Sequence, residues 1–144
     1  VEQDEGGSGD AGTVEAIPQD LSRVFLNLLN NACYAVNEKA KKNGTGFVPK
    51  LRVSTLNLGG AVEVRIRDNG MGIPPEVRDK IFNPFFTTKP TGQGTGLGLS
   101  ISHDIVVQEH NGQLDVETEP GEYTEFIVRL PRQWRKVNEG NGRR

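Results

Sequence analysis

The sequence predicts an α+β sandwich, in which a mixed, mostly antiparallel sheet is covered on one face by helices. Apolar residues recur at helical spacing through residues 18–44, which predicts one long amphipathic helix. Two stretches with alternating apolar residues follow, and two more lie near the end of the chain. A short glycine-containing turn joins each pair, so we expect the strands to pair antiparallel.

The composition is typical of one globular domain that does not bind nucleic acid. The chain has 144 residues, of which 34% are hydrophobic and 25% charged, with a net charge of −2 and no stripe of lysine and arginine. The single cysteine, Cys33, excludes an internal disulfide and indicates a reducing compartment. No apolar run is long enough to span a bilayer, so we expect a cytoplasmic domain, whether or not the full-length protein is anchored in a membrane.

The two ends of the chain differ in composition from its middle. Residues 1–12 are acidic and glycine-rich, and residues 132–144 are basic and polar. We expect both to be flexible tails around one folded domain over residues 13–131.

The long helix is the best-defined element of this domain. A short β-branched stretch over 13–17 predicts a strand before it, Asp20 is its expected N-cap, and Gly44 lies just beyond its end. Its apolar face comprises Leu21, Val24, Phe25, Leu28, Leu29, Ala32 and Val36.

The rest of the domain alternates strands with shorter helices. In chain order, these elements are strands over 50–55 and 61–68, a short helix over 76–82, a long loop over 83–96, a helix over 97–112 and strands over 113–118 and 123–130. Long loops inside compact domains are usually functional.

Two asparagines of the long helix are candidate metal ligands. Asn27 and Asn31 are four residues apart, so they lie on one side of the helix, beside its apolar face. Carboxamide oxygens at the rim of a buried face suit Mg²⁺. The alternative is that both amides are solvated or bonded to neighbouring backbone.

Glycines follow a carboxylate at the end of a predicted strand and precede a predicted helix. Gly70 and Gly72 come directly after Asp68, and Gly94, Gly96 and Gly98 alternate before the helix. A plain turn and a flexible loop are the alternatives. Together with the asparagines, however, these features fit a nucleotide: the carboxylate would accept a hydrogen bond from a purine amino group, and the glycine loop would cover the phosphates.

These motifs resemble, in order, those of the catalytic ATP-binding domain of bacterial sensor histidine kinases. That domain belongs to the GHKL superfamily, which includes DNA gyrase and mismatch-repair ATPases. The similar stretches are NLLNNA at 27–32 (N box), DNGMGI at 68–73 (first glycine box), FNPFFTTK at 82–89 (F box), GTGLGLS at 94–100 (second glycine box) and TEF at 124–126. The resemblance covers 13–131 and implies the Bergerat-type ATP-binding fold, with ATP and Mg²⁺ as cofactors.

The resemblance also implies roles for individual residues. Asp68 matches the aspartate that contacts the adenine amino group, and Asn31 matches the Mg²⁺ ligand, with Asn27 supporting metal and phosphate. Further matches to nucleotide-binding positions are Tyr34, Gly70, Gly72, Ile73, Phe86, Lys89, Gly94, Thr95, Gly96, Leu97, Gly98 and Thr124. Phe85, with Phe86 and Lys89, belongs to the lid that contacts nucleotide and partner domain.

Tyr34 and Ala35 depart from the family pattern. Many histidine kinases resemble one another in having Lys or Arg at the first of these positions and Tyr at the second. This chain therefore lacks, at these positions, the cation that would contact a phosphate and the aromatic ring that would stack on the nucleotide. We expect Lys89 to supply the positive charge, since phosphoryl transfer needs charge stabilisation. Asn27, Asn31 and Lys89 are therefore the predicted catalytic residues.

The expected reaction is phosphoryl transfer to a histidine outside this chain. Superfamily members that hydrolyse ATP resemble one another in having a glutamate where this chain has Asn27, and an amide cannot act as a general base. Neither His103 nor His110 has the sequence surroundings of the family's phosphoacceptor. The implied partners are a histidine-bearing dimerisation domain and a downstream response regulator, and we expect the isolated domain to be monomeric.

Three other functions stay open at this point. A fragment of a superfamily ATPase or chaperone is disfavoured by Asn27 and by the F box. A degenerate, non-catalytic interaction module would explain Tyr34, although Asp68 and Asn31 argue against it. A protein-serine kinase of the same fold would differ only in its acceptor.

Overall fold

A computed structural model of the chain describes residues 2–4, 16–87 and 98–133. Its five strands form one sheet in the order β1-β2-β3-β5-β4. The strands are β1 (Glu2–Asp4), β2 (Leu51–Asn57), β3 (Ala61–Asp68), β4 (Gln113–Glu119) and β5 (Tyr123–Pro131). β1 pairs parallel with β2, and every other pair is antiparallel, so the predicted mixed, mostly antiparallel sheet is confirmed.

β1 lies within the stretch that was expected to be a flexible tail. Glu2, Gln3 and Asp4 pair with residues 52–54 of β2. The rest of 1–12, and all of 134–144, lie outside the described residues, so the domain boundaries stay predictions.

The long helix α1 spans Pro18–Asn43, close to the predicted 18–44, but its N-cap differs from the prediction. The prediction that Asp20 is its N-cap is wrong: Ile17 is the N-cap, and Asp20 lies inside the first turn. Pro18 explains the difference, because the fixed φ of proline suits the first helical position, where its missing N–H is not needed. Ala16 and Ile17 have no strand structure, and the remainder of the predicted strand over 13–17 lies outside the described residues.

The apolar side of α1 packs on one face of the sheet. Val24, Leu28, Ala32 and Val36 are buried, and the first three share a core cluster with inward-facing residues of three strands. Those strand residues are Ile66, Leu114, Val116, Phe126, Val128 and Leu130. The single covered face is therefore confirmed, because alternate side chains of each strand point toward the helices.

The opposite face of the sheet carries a network of ion pairs. Glu63 accepts hydrogen bonds from Arg65 at 2.7 Å and Arg129 at 2.8 Å, and Arg65 also bonds Glu125 at 3.0 Å. Burial tends to raise the pKa of Glu63, yet the hydrogen bonds and charges of the two arginines leave it below its usual value. On the same face Ile127, which lies directly opposite Arg65 in the pairing of β5 with β3, is 2% exposed.

The second half of the domain supplies two shorter helices, and both differ from expectation. α2 covers only Pro75–Arg78, rather than 76–82. α3 covers Gly98–Asp104 and continues as a π-helix over Ile105–Glu109.

Candidate functional site

A cavity of about 590 Å³ lies between α1, the loop after β3 and the start of α3. The residues predicted to bind nucleotide that line it are Asn27, Asn31, Tyr34, Asp68, Gly72, Ile73, Phe86, Gly98 and Thr124. These residues come from five separate stretches of the chain, and the fold brings them together.

Asp68 is a buried carboxylate at the wall of this cavity. It is the last residue of β3 and is only 2% exposed. Burial raises its pKa to about 6, while the Gly70 N–H, which donates to Oδ1 at 2.8 Å, and the charges of Arg67 and Lys39 pull the pKa down. An ionised carboxylate can only accept hydrogen bonds, so the cavity presents an acceptor at this position.

Thr124 faces Asp68 across the sheet and presents a second acceptor. The two residues are directly paired on β5 and β3. Thr118 donates its only proton to the Tyr123 carbonyl at 2.9 Å, and its oxygen accepts the Ile73 N–H at 2.9 Å. The 3.1 Å contact between the two threonine hydroxyls must then be donated by Thr124, whose oxygen is left to accept from a ligand.

Gly70 and Gly72 allow the loop after β3 to fit between α1 and the β4–β5 turn. A Cβ on Gly70 would come within 2.6 Å of Ala35, so this glycine is needed for close packing against α1. Gly72 has a φ of +71°, and a Cβ there would overlap the Glu119 carbonyl. Gly70 itself does not line the cavity; it lies behind Asp68 and donates to it.

The same packing explains the departure at position 35. Ala35 lines the cavity and lies against Gly70. A ring at position 35 would need space that the loop occupies. Tyr34, one residue earlier, also lines the cavity, so an aromatic side chain is present at its wall.

The two asparagines differ in their bonding. Asn27 donates through Nδ2 to the Gly98 carbonyl at 3.2 Å and to Ser102 Oγ at 3.1 Å, which ties α1 to the start of α3. Asn31 lines the cavity, and its side chain makes no hydrogen bond with any residue that the structure describes. The chemistry of the pair fits a hard cation, because both offer carboxamide oxygens and Asn31 has no competing partner in the described part of the chain.

The predicted lid is described only in part. Phe86 lines the cavity, whereas the neighbouring Phe85 is 73% exposed and has a φ of +66°. The remaining predicted lid and phosphate residues, Lys89, Gly94, Thr95, Gly96 and Leu97, lie outside the described residues.

His110 has a structural role. It is 2% exposed, its Nε2 accepts the Ile17 N–H at 3.1 Å, and its Nδ1 lies 2.8 Å from the Ile105 carbonyl oxygen. His110 thus joins the start of α1 to the π-helix. His103 packs its ring against Phe82, with 5.1 Å between the ring centroids.

The sequence interpretation missed two residues of the polar network. Thr118 and Ser102 do not stand out by spacing, yet they orient Thr124 and Asn27. A signal for Thr118 was available, because the register of the last hairpin places it opposite Thr124. Ser102 lies one turn after Gly98, whose carbonyl its hydroxyl bonds at 2.8 Å.

Residues 16–133 match the family model described as histidine kinase-, DNA gyrase B-, and HSP90-like ATPase. The chain is 42% identical over 114 residues to the two-component sensor PprA of Pseudomonas aeruginosa, a match that covers 77% of this chain and 12% of the relative. It is 38% identical over 116 residues to the sensory histidine kinase/phosphatase NtrB of Vibrio alginolyticus, covering 77% of this chain and 31% of the relative.

A solved structure of the catalytic domain of histidine kinase ThkA has the same fold. It superimposes with a TM-score of 0.72 at 33% identity, and the match covers 91% of this chain and 78% of that one. The chain spans less than a third of the length of the two curated relatives. Within the described ranges, no helix is both long and apolar enough to cross a membrane.

Proposed function

This chain belongs to the family of histidine kinase-, DNA gyrase B-, and HSP90-like ATPases, and on that premise we propose that it binds Mg-ATP and transfers the γ-phosphoryl group to a histidine of a separate domain. Its relatives are sensor histidine kinases, and its fold is that of a histidine kinase catalytic domain.

The observation that carries the proposal is the pair of acceptors at the end of the cavity. Asp68 and the Thr124 hydroxyl lie opposite each other and both line the cavity, and in this proposal the exocyclic group of a purine ring would lie against them. The amino group of adenine donates hydrogen bonds, whereas the carbonyl of guanine would face two acceptors. Mismatched buried polar groups are costly, so this arrangement favours ATP over GTP.

Asn31 would hold the Mg²⁺ ion, with Asn27 beside it. A bound Mg²⁺ would neutralise negative charge on the phosphates. In this proposal Asn31 supplies a ligand oxygen, and Asn27 keeps the start of α3, and hence the phosphate end of the cavity, at a constant distance from α1. Lys89 is the proposed cation for the transferring phosphoryl group.

The site favours phosphoryl transfer over hydrolysis. The Asn27 amide is occupied as a donor to Gly98 and Ser102, and an amide cannot take a proton from water. The acceptor would therefore be a histidine on a dimerisation domain. His110 is unsuitable because it is buried and bonded through both ring nitrogens.

The partners follow from this reaction. The relatives' names describe two-component and sensory histidine kinases, so the proposed downstream partner is a response regulator. The domain would act in the cytoplasm, where ATP is abundant.

Calorimetric titration with Mg-ATP and Mg-GTP tests the nucleotide site. We expect the wild type to bind Mg-ATP more tightly than Mg-GTP, and Asp68→Asn to weaken Mg-ATP binding at least about tenfold. Asp79→Asn is a matched control, because Asp79 is exposed beyond α2 and does not line the cavity. No binding of Mg-ATP by folded wild type would overturn the proposal, and the interaction-module alternative would replace it.

A further inference from the structure

Lys39, in the second half of α1, joins three parts of the fold. Its Nζ donates to the Gly121 carbonyl in the β4–β5 turn at 2.7 Å. The same ammonium lies 5.0 Å from the centroid of the Phe47 ring, a cation–π contact that favours this side-chain position. Lys39 therefore links the helix to a turn that lies 82 residues later in the sequence.

The turn that Lys39 contacts also contacts the loop after β3. The Gly121 N–H donates to the Met71 carbonyl at 2.6 Å, so one residue bonds Lys39 through its carbonyl and the loop through its amide. Gly72 packs against Glu119 of β4, and Gly70 packs against Ala35 of α1. The loop that borders the cavity is thus held between α1 and the turn, and Lys39 connects these two supports.

The charge of Lys39 acts on the same end of the cavity. Asp68 is opposed by uncharged Thr124 on β5. Three titratable groups of α1 line the same cavity, Tyr34, Glu38 and Lys42, and the charges of Lys39 on α1 and Arg67 on β3 act on Asp68 directly. Of these, Arg67 and Lys39 favour the ionised carboxylate and lower its pKa against the effect of burial.

We propose that Lys39 is a positioning residue for nucleotide binding, which fastens the β4–β5 turn to α1 and places its positive charge toward the Asp68 end of the cavity. This inference rests on the proposed function, because the affinity for a bound nucleotide shows whether the loop after β3 is correctly placed and whether Asp68 is ionised. Lys39 does not line the cavity and acts through Gly121 and Asp68.

The test compares Lys39→Met with Lys41→Met in titrations with Mg-ATP from about pH 5 to pH 8. Lys41 is a matched control because it lies two residues away on α1, is 75% exposed and bonds only to Glu38 among the described residues. Both variants remove one positive charge from the same part of the helix. Lys39→Arg keeps the charge and a donor, and thermal unfolding establishes that each variant is folded.

We expect Lys39→Met to weaken Mg-ATP binding about three- to fivefold near pH 7.5 and to move the pH midpoint of binding upward. We expect Lys41→Met to change neither quantity, and Lys39→Arg to restore both. A folded Lys39→Met variant with the affinity of Lys41→Met would overturn the inference, as would a loss of affinity with an unchanged pH midpoint. Failure of the wild type to bind Mg-ATP would instead overturn the proposed function.

Discussion

Asp68 on β3 and Thr124 on β5 lie directly opposite each other at one end of the sheet, on the face that the helices cover. Both are almost completely buried, and both line the same cavity. The carboxylate can only accept a hydrogen bond, and Thr118 leaves the oxygen of Thr124 as an acceptor too. This pairing is the structural basis of the proposed preference for a purine amino group.

ATP binding should weaken as the pH falls through about 6. Burial raises the pKa of Asp68 to about 6, so the carboxylate is ionised at neutral pH and protonated in mild acid. A protonated carboxyl presents a donor to the adenine amino group and loses the favourable contact. Calorimetry at several pH values should give a midpoint near the pKa, and an affinity that stays constant between about pH 7.5 and pH 5 would contradict this assignment.

Replacing Asp68 by asparagine should stabilise the free domain. Burial raises the folded-state pKa of Asp68 above its usual value to about 6, so the folded protein binds the proton more tightly than the unfolded chain does. Stability therefore falls as pH rises from about 4 to 6, and the cost is fully present above pH 6. Asparagine removes the buried charge and keeps an oxygen for the Gly70 N–H.

We expect Asp68→Asn to unfold at higher temperature at neutral pH, with a gain of about 1–2 kcal/mol in the free energy of unfolding. Differential scanning calorimetry measures this directly, and the gain should disappear below about pH 4, where both states are protonated. A variant that is less stable than the wild type at neutral pH would contradict this prediction, because it would mean that hydrogen bonds and nearby charges offset the cost of burying the Asp68 carboxylate.

Gly72→Ala should abolish ATP binding and destabilise the domain, whereas Gly59→Ala should not affect binding. Both glycines have positive φ, +71° and +85°, so both substitutions carry a backbone cost of about 1–2 kcal/mol. Only at Gly72 would the new Cβ meet another part of the protein, the Glu119 backbone, whereas nothing lies within 4 Å at Gly59. Thermal unfolding and Mg-ATP titration of both variants distinguish the two effects: Gly59→Ala shows the cost of backbone strain alone, and Gly72→Ala adds the loss of close packing in the loop.

Asn31→Ala should remove the Mg²⁺ dependence of ATP binding with little effect on stability. The side-chain amide of Asn31 makes no hydrogen bond with the described residues, so its loss costs the fold little. Asn27→Ala, in contrast, should also destabilise the domain by about 1–2 kcal/mol, because it removes two hydrogen bonds to α3. ATP titrations with Mg²⁺ and with a chelator measure the metal dependence, and an undiminished dependence in Asn31→Ala would exclude Asn31 as the ligand.

Hydrolysis of ATP by the isolated wild type should be slow, and Asn27→Glu should accelerate it. A glutamate could accept a proton from water, which the Asn27 amide cannot do. Release of inorganic phosphate measures the rate, with Asn30→Glu as a control for added charge, since Asn30 is exposed and also lines the cavity. A wild type that already hydrolyses ATP rapidly would contradict the proposed preference for transfer.

The sequence by itself determined the helices and strands whose side chains follow a strict period. The apolar face of α1 could be predicted because residues three and four apart share a helix face, and Val24, Leu28, Ala32 and Val36 are indeed buried. The paired strands could be predicted because alternation is a local property. The order of the motifs in the chain likewise predicted which residues form the nucleotide site.

Only the tertiary structure decided how these residues act together. The raised pKa of Asp68 depends on burial, and the glycine at position 70 is needed because Ala35 of α1 packs there, 35 residues earlier in the chain. The parallel pairing of β1 with β2 also depends on contacts between distant segments. Ser102 and Lys39 escaped prediction for the same reason: their partners are chosen by packing in three dimensions, and no local pattern in the sequence indicates those partners.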